Sequence, residues 1–259
     1  MTKETSIAAA FEKLGLALTD VQIGQFLRYA ELLQEWNKVM NLTAITEFDE
    51  IVSKHFADSC AVLLFPERAK LLRSENMIDV GTGAGFPGIP LKIVFPELRL
   101  TLLDSLQKRI RFLETVTAEL GLKNVCCVHA RAEEGARMKQ HREQYGLCVS
   151  RAVANMSVLA EYTLPYLRTG GLLLAYKSAE IDEELTAAEE AVRLLGGGSP
   201  EVEKFVLPAT DLHRSLVAVR KIRKTPAVYP RKAGTAAKIP LGTQKSGTVP
   251  NHPNKGEAH

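Results

Sequence analysis

The chain predicts an α/β fold: a seven-stranded, mostly parallel sheet whose last strand pair is antiparallel, preceded by a helical extension. Three observations carry this reading. From Met77 onward, short apolar runs alternate with amphipathic stretches of helical period, as strands covered by helices on both faces require. The first run leads directly into Gly81, Gly83, Gly85 and Gly88, a tight turn between strand and helix. The last two runs, 201–207 and 214–221, leave no room for a crossover helix between them, so they should pair antiparallel.

Taken in order, residues 1–66 read as a helical extension. Ile7, Phe11, Leu14 and Leu18 recur at helical spacing, and Thr19-Asp20 can cap a second helix bearing Phe26, Leu33 and Trp36 on its apolar face. A third helical segment runs from about Phe48 to Leu64 and stops at Pro66. Residues 67–221 form the α/β domain, with strands at 77–80, 98–103, 125–129, 145–150 and 170–176 and helices near 88–95, 106–120, 155–168 and 181–195. Five parallel strands followed by an antiparallel pair resemble the Rossmann-like sheet of class I S-adenosylmethionine-dependent methyltransferases. Residues 222–259 form a Pro/Gly-rich tail without periodicity, read as mostly irregular.

Bulk composition narrows the class. At 46% apolar and 24% charged residues, the 259-residue chain can bury an ordinary core. Cys60, Cys126, Cys127 and Cys148 form no C-x-x-C pair, so neither a metal site nor a disulfide framework is expected, which fits a reducing cytoplasm. No apolar run approaches the roughly 20 residues needed to cross a bilayer, and the opening residues 1–7 lack a basic segment leading into an apolar run, so no signal peptide is expected. The net charge of +3 is uneven: seven Lys/Arg against Glu257 from residue 222 onward give +6, leaving −3 for residues 1–221. A basic tail of this kind suits phosphates, with Arg231 and Lys232 as candidates to track an RNA backbone.

The glycine turn satisfies two patterns. Gly83-x-Gly85-x-x-Gly88 matches a dinucleotide fingerprint, and Asp79-x-Gly81-x-Gly83-x-Gly85 matches the first methyltransferase motif. Asp79 separates them. An acid at the strand end would repel a pyrophosphate but suits S-adenosylmethionine, whose amino and sulfonium groups are cationic. The helix starting near Gly88 should point its free N–H groups at the turn and its ligand. Asp104 closes the second strand, where an acid can bind ribose hydroxyls or cap the next helix. Ala132-Glu133 follows the third strand, where class I enzymes contact the adenine.

Further motifs occur in order along the chain: Trp36-Asn37-x-x-x-Asn41-Leu42-Thr43, His55-x-x-Asp58-Ser59, the segment from Asp79 to Pro90, Ser150-Arg151-Ala152-Val153, Tyr176-Lys177, Arg214-x-Leu216-Val217 and Tyr229-Pro230-Arg231. Together they resemble the bacterial small-subunit rRNA methyltransferase G family, formerly glucose-inhibited division protein B, from about residue 11 to 241. The resemblance implies N7 methylation of guanine 527, in the decoding-region loop of 16S rRNA, with S-adenosylmethionine as donor. It implies cofactor contacts at Gly81, Phe86, Ala132, Glu133 and Arg151. Ser178 departs from the pattern, since a glycine commonly follows Tyr-Lys in the family.

The chemistry agrees with that implication. The loop after the fourth strand is Ser150-Arg151-Ala152-Val153, not the Asn/Asp-Pro-Pro-aromatic loop that orients an exocyclic amine. Cys148 lies inside a predicted strand, where a buried structural thiol is expected instead of a nucleophile. Guanine N7 needs neither device, because its in-plane lone pair attacks the methyl group with no proton to remove. Catalysis should be alignment and exclusion of water, without an essential general base and with a flat pH profile above about 6. Asn41, His55, Arg151, Lys177 and Arg214 are the candidates to position the RNA. Trp36 reads more readily as core than as a base-stacking residue. The partner is 16S rRNA or the small ribosomal subunit, not DNA or a membrane, and a monomer is expected. The alternatives are a dinucleotide-dependent oxidoreductase and an RNA-binding assembly factor with a vestigial cofactor loop.

Overall fold

A computed structural model of the chain describes residues 2–242. The sheet has seven strands in the order β3-β2-β1-β4-β5-β7-β6. These are β1 (Asn76–Val80), β2 (Arg99–Asp104), β3 (Val125–His129), β4 (Tyr145–Arg151), β5 (Leu167–Ser178), β6 (Glu201–Val206) and β7 (His213–Arg220). Strands β1 to β5 pair in parallel, whereas β7 runs antiparallel to both β5 and β6. The strand order reverses between β1 and β4, so the crevice beyond their carboxyl ends is the place where such sheets bind ligands.

Helices α1 (Lys3–Glu12), α2 (Asp20–Met40), α3 (Phe48–Glu50), α4 (Pro66–Ala69) and α5 (Leu71–Ser74) precede the sheet. Thr19 caps α2 through a full capping box with Gln22. Helix α1 ends sooner than the apolar spacing suggests. Gly15 takes φ +77° and turns the chain, so Leu14 and Leu18 lie beyond the helix. The third segment is also not one α-helix. α3 passes into a π-helical stretch, Ile51–Ala57, followed by a 3-10 turn at Ala61–Leu64. Pro66 begins α4 instead of ending a helix, since a first-turn position needs no backbone N–H.

The remaining helices are α6 (Gly88–Val94), α7 (Gln107–Glu119), α8 (Ala132–Gly135), α9 (Met156–Thr163), α10 (Asp182–Leu194) and α11 (Thr235–Lys238). Alternation along each strand sends side chains into two cores. Met77, Leu147 and Leu174 pack with the N-terminal helices, α6 and α7, while Ile78, Cys148 and Leu173 pack with α9 and α10. Trp36 joins the first core, its ring 5.6 Å from that of Phe112. All four cysteines are free thiols, and Cys148 is fully buried in β4. No helix among the described residues is long and apolar enough to cross a membrane.

The basic segment after β7 is irregular but not loose. From Thr225 to Gly242 it lies against the second core, with Arg231 clamped to the fully buried Glu161 (Nη2–Oε2 2.7 Å). That overturns the expectation that Arg231 tracks an RNA backbone: its guanidinium is already committed to an internal carboxylate. Lys232 stays exposed. Lys245, Lys255 and the stretch from Asn251 to Gly256 lie outside the described residues.

Candidate active site

The glycine turn is built on backbone that only glycine adopts freely. Gly81, Gly83 and Gly85 have φ of +72°, +61° and +101°. A Cβ on Gly81 would stand 2.7 Å from Val153 Cγ2, so the turn and the loop after β4 approach closely because nothing projects there. Asp104 does two things at once. Its Oδ2 accepts from Gly83 N (3.0 Å) and from Arg109 (3.3 Å), while Oδ1 accepts from Leu106 N (2.9 Å). Asp104 does not cap α7 (Gln107–Glu119), whose N-cap is Leu106 without a side-chain cap bond; its carboxylate instead fixes the glycine turn and the residue that leads into the helix.

Asp79 sits behind the turn, fully buried. Its Oδ2 accepts from the Thr82 hydroxyl (2.7 Å) and from Gly88 N (2.8 Å), so the first N–H of α6 serves Asp79 and is not offered to a ligand, contrary to the sequence expectation. Its Oδ1 has no hydrogen-bond partner. Burial pushes the carboxyl from 3.8 up to about 7, against the opposing pull of those two donors. The folded chain therefore binds a proton here that the unfolded chain has released, and between these two values stability falls as pH rises. Asp79→Asn, which does not titrate, should gain stability relative to the parent by roughly 2–4 kcal/mol from pH 4 to pH 7, and nothing more above it. Urea unfolding of both proteins across this range checks the sign.

Two cavities open at the carboxyl ends of the strands. The smaller, about 300 Å³, is lined by Gly81, Asp104, Arg109, Ala132, Glu133 and Tyr162 among others. The larger, about 620 Å³, is lined by Lys54, His55, Asp58, Arg151, Lys177 and Arg214 among others. Both include Ala152 and Val153, so a single stretch of chain walls one from the other. Ala152 takes φ +58° there, an uncommon value for a residue with a side chain.

The larger cavity is organised around Asp58, which sequence reasoning placed in a motif but not among the site residues. Arg151 Nη1 donates to Asp58 Oδ2 (2.8 Å) and to Lys54 O (3.2 Å), and Arg214 Nε donates to Asp58 Oδ1 (3.0 Å). Nη2 of Arg151 lies 3.3 Å from His55 Nδ1. A guanidinium only donates, so Nδ1 must accept, and Nε2 carries the proton and donates to Thr43 Oγ1 (2.7 Å). Thr43 is itself held by Asn37 through two hydrogen bonds of 2.9 Å. Burial, with Arg151 alongside, lowers the His55 pKa to about 3, so the ring is neutral at physiological pH.

Phe86 supports this group from below. Its ring stacks on His55 at 4.4 Å, and the Arg151 guanidinium lies 5.0 Å from its centroid. Lys177 donates to Ala154 O and Glu184 Oε1, both at 2.6 Å. Four of the five positioning candidates, His55, Arg151, Lys177 and Arg214, thus meet in one cavity. Asn41 does not: it is the exposed, left-handed cap of α2 (φ 49°), outside the lining of either cavity.

The family profile described as GidB: rRNA small subunit methyltransferase G matches residues 22–214. The chain belongs to this family. A Ribosomal RNA small subunit methyltransferase G of Alkaliphilus metalliredigens is 48% identical over 231 residues, covering 89% of this chain and 95% of that one. One of Lachnoclostridium phytofermentans is 45% identical over 245 residues, covering 95% and 100%. Among solved structures, MtNAS in complex with MTA and tNA superposes with a TM-score of 0.50 at 13% identity, covering 78% of this chain and 72% of that one, a likeness of fold alone. Members of the small subunit methyltransferase G family are rRNA methyltransferases, and the cofactor is S-adenosylmethionine. Membership removes the oxidoreductase alternative.

Proposed function

We propose that the chain methylates N7 of guanine 527 in 16S rRNA, with S-adenosylmethionine in the smaller cavity and the guanine in the larger. The observation that carries this is the shared wall: Ala152 and Val153 border both cavities, so a donor on one side and an acceptor on the other meet across a single short loop. The residues present fit the cofactor. Gly81 lines the smaller cavity with backbone alone, so a ligand can approach it closely, and the carboxyl side chains of Asp104 and Glu133 in the same lining suit a ligand that carries hydroxyl and N–H donors. Asp104 would take the ribose hydroxyls, Ala132 and Glu133 the adenine, and Gly81 and Gly83 the methionine end. The bound cofactor supplies an electrophilic methyl group.

What the chain's own groups do is orientation and exclusion of water. N7 carries a free in-plane lone pair, so no base is needed. His55 is neutral, with both ring nitrogens engaged and a pKa of about 3, and so is poorly suited to be one. Four cations, Lys54, Arg151, Lys177 and Arg214, are paired with three carboxylates, Glu50, Asp58 and Glu184, so the cavity keeps a small surplus of positive charge for phosphates flanking an unstacked base. In an Asp79→Asn background, which removes the carboxyl behind the turn that titrates near 7, kcat should therefore stay flat from about pH 6 to pH 9, and a steep single ionisation there would refute the base-free reading. The target itself is tested with labelled cofactor and unmodified small subunits, followed by borohydride and aniline, which cleave at N7-methylguanine. One cut at guanine 527 is expected. Label without a cut would overturn the N7 assignment.

A further inference from the structure

We propose that the segment Thr225–Gly242 is a working part of the cofactor site: it holds Glu133 in place, so that this carboxylate selects a 6-aminopurine. The inference rests on the reading of the smaller cavity as the adenosyl site. Glu133 lines that cavity and is almost completely buried. Its Oε1 accepts from Gly234 N at 2.7 Å, and no donor among the described residues reaches its Oε2. One oxygen is thus fixed by the segment, leaving the other for a ligand N–H.

The segment is itself anchored at several points. Arg231 donates its backbone N–H (2.7 Å) and Nε (3.0 Å) to Glu161 Oε1, and Nη2 (2.7 Å) to Oε2. The same Nη2 reaches Ile239 O at 2.8 Å, closing the loop that contains Gly234. Arg142 gathers Tyr229 O (2.9 Å) and Thr225 O (3.0 Å), and Arg137 reaches Pro230 O. Glu161 neighbours Tyr162 on α9, so the residue that anchors the segment adjoins one that lines the cavity. A glutamate side chain free to rotate would face a purine in several ways; one pinned at Oε1 presents a single acceptor.

A carboxylate oxygen accepts from a 6-amino group but repels a 6-oxo oxygen, so the pinned Glu133 should discriminate between them. Calorimetry on the full chain would compare S-adenosylhomocysteine with its 6-oxo (inosyl) analogue. The parent should prefer the 6-amino ligand by roughly 10- to 100-fold. Glu161→Gln keeps an acceptor for Arg231 N–H but gives up the ionic grip, and should shrink that preference to about threefold or less. If Glu161→Gln leaves the ratio intact, whether both affinities fall together or neither changes, the segment is only scaffold and the proposal is overturned. Glu133→Gln separately tests the underlying reading. Should the parent show no preference, or Glu133→Gln retain it, the placement of Glu133 at the purine fails and the proposal with it. Arg231→Lys, which loses the two-pronged geometry while keeping the charge, carries the same comparison if Glu161→Gln does not fold.

Discussion

Replacing Arg151 by Met should lower kcat/KM for methyl transfer on the order of 100-fold or more while leaving a folded protein. Arg151 closes three contacts at once, to Lys54 O, Asp58 and His55, and lies against Phe86. It also begins the loop whose next two residues wall both cavities. Losing it frees that loop and the His55 ring together. Asp58 keeps Arg214, so no carboxylate is left wholly uncompensated and the fold should survive. Arg151→Lys should rescue little, because a single ammonium does not reproduce the planar fork. Labelled-methyl incorporation beside a thermal melt checks both halves; near-parental activity would remove Arg151 from the reaction.

Arg231→Met should be the most damaging single change to stability outside the cores, at about 3–5 kcal/mol, or roughly 6–20 °C in Tm. Glu161 is fully buried and its side chain takes its hydrogen bonds from Arg231 alone, so the substitution strands a charge with only one backbone N–H beside it. The double variant Glu161→Met with Arg231→Met should recover much of the loss, since a buried pair is often no better than an apolar replacement. A charge reading of the tail expects something else: weaker RNA binding and unchanged stability. Thermal melts of the single and double variants separate the two.

The fold was legible because its signals are local. Apolar runs, the glycine turn and the missing crossover before β7 are all patterns within a few residues, and each strand falls within three residues of its expected start. The N-terminal helices were less so: Gly15 and the π-helical stretch at Ile51–Ala57 break periodicity in ways that apolar spacing does not register. For the site, polar candidates near strand ends and on the helical extension were visible, and four of the five, His55, Arg151, Lys177 and Arg214, do meet. What joins them was not. Asp58 is separated by 93 residues from Arg151 and by 156 from Arg214, and no short-range pattern announces an acid shared between distant arginines. The tail failed for the same reason. Its positive charge is plain in the sequence, but the carboxylate that neutralises Arg231 lies 70 residues away and the one that receives Gly234 N–H lies 101 away.

The aromatic ladder through the N-terminal helices sets a rule for exchanging parts between relatives. Phe11, Phe26, Phe56 and Phe86 follow one another ring against ring at 4.8, 5.0 and 6.3 Å, from α1 to the glycine turn. Tyr29 stacks beside Phe56 and donates its buried hydroxyl to Ala84 O within that turn. The extension is therefore not an interchangeable head on a generic catalytic body. A chimera joined at residue 66 divides this seam between two parents, so a graft that keeps its chemistry has to match Tyr29 and Phe56 to Phe86 and keep a phenol at position 29 to reach the backbone of the turn.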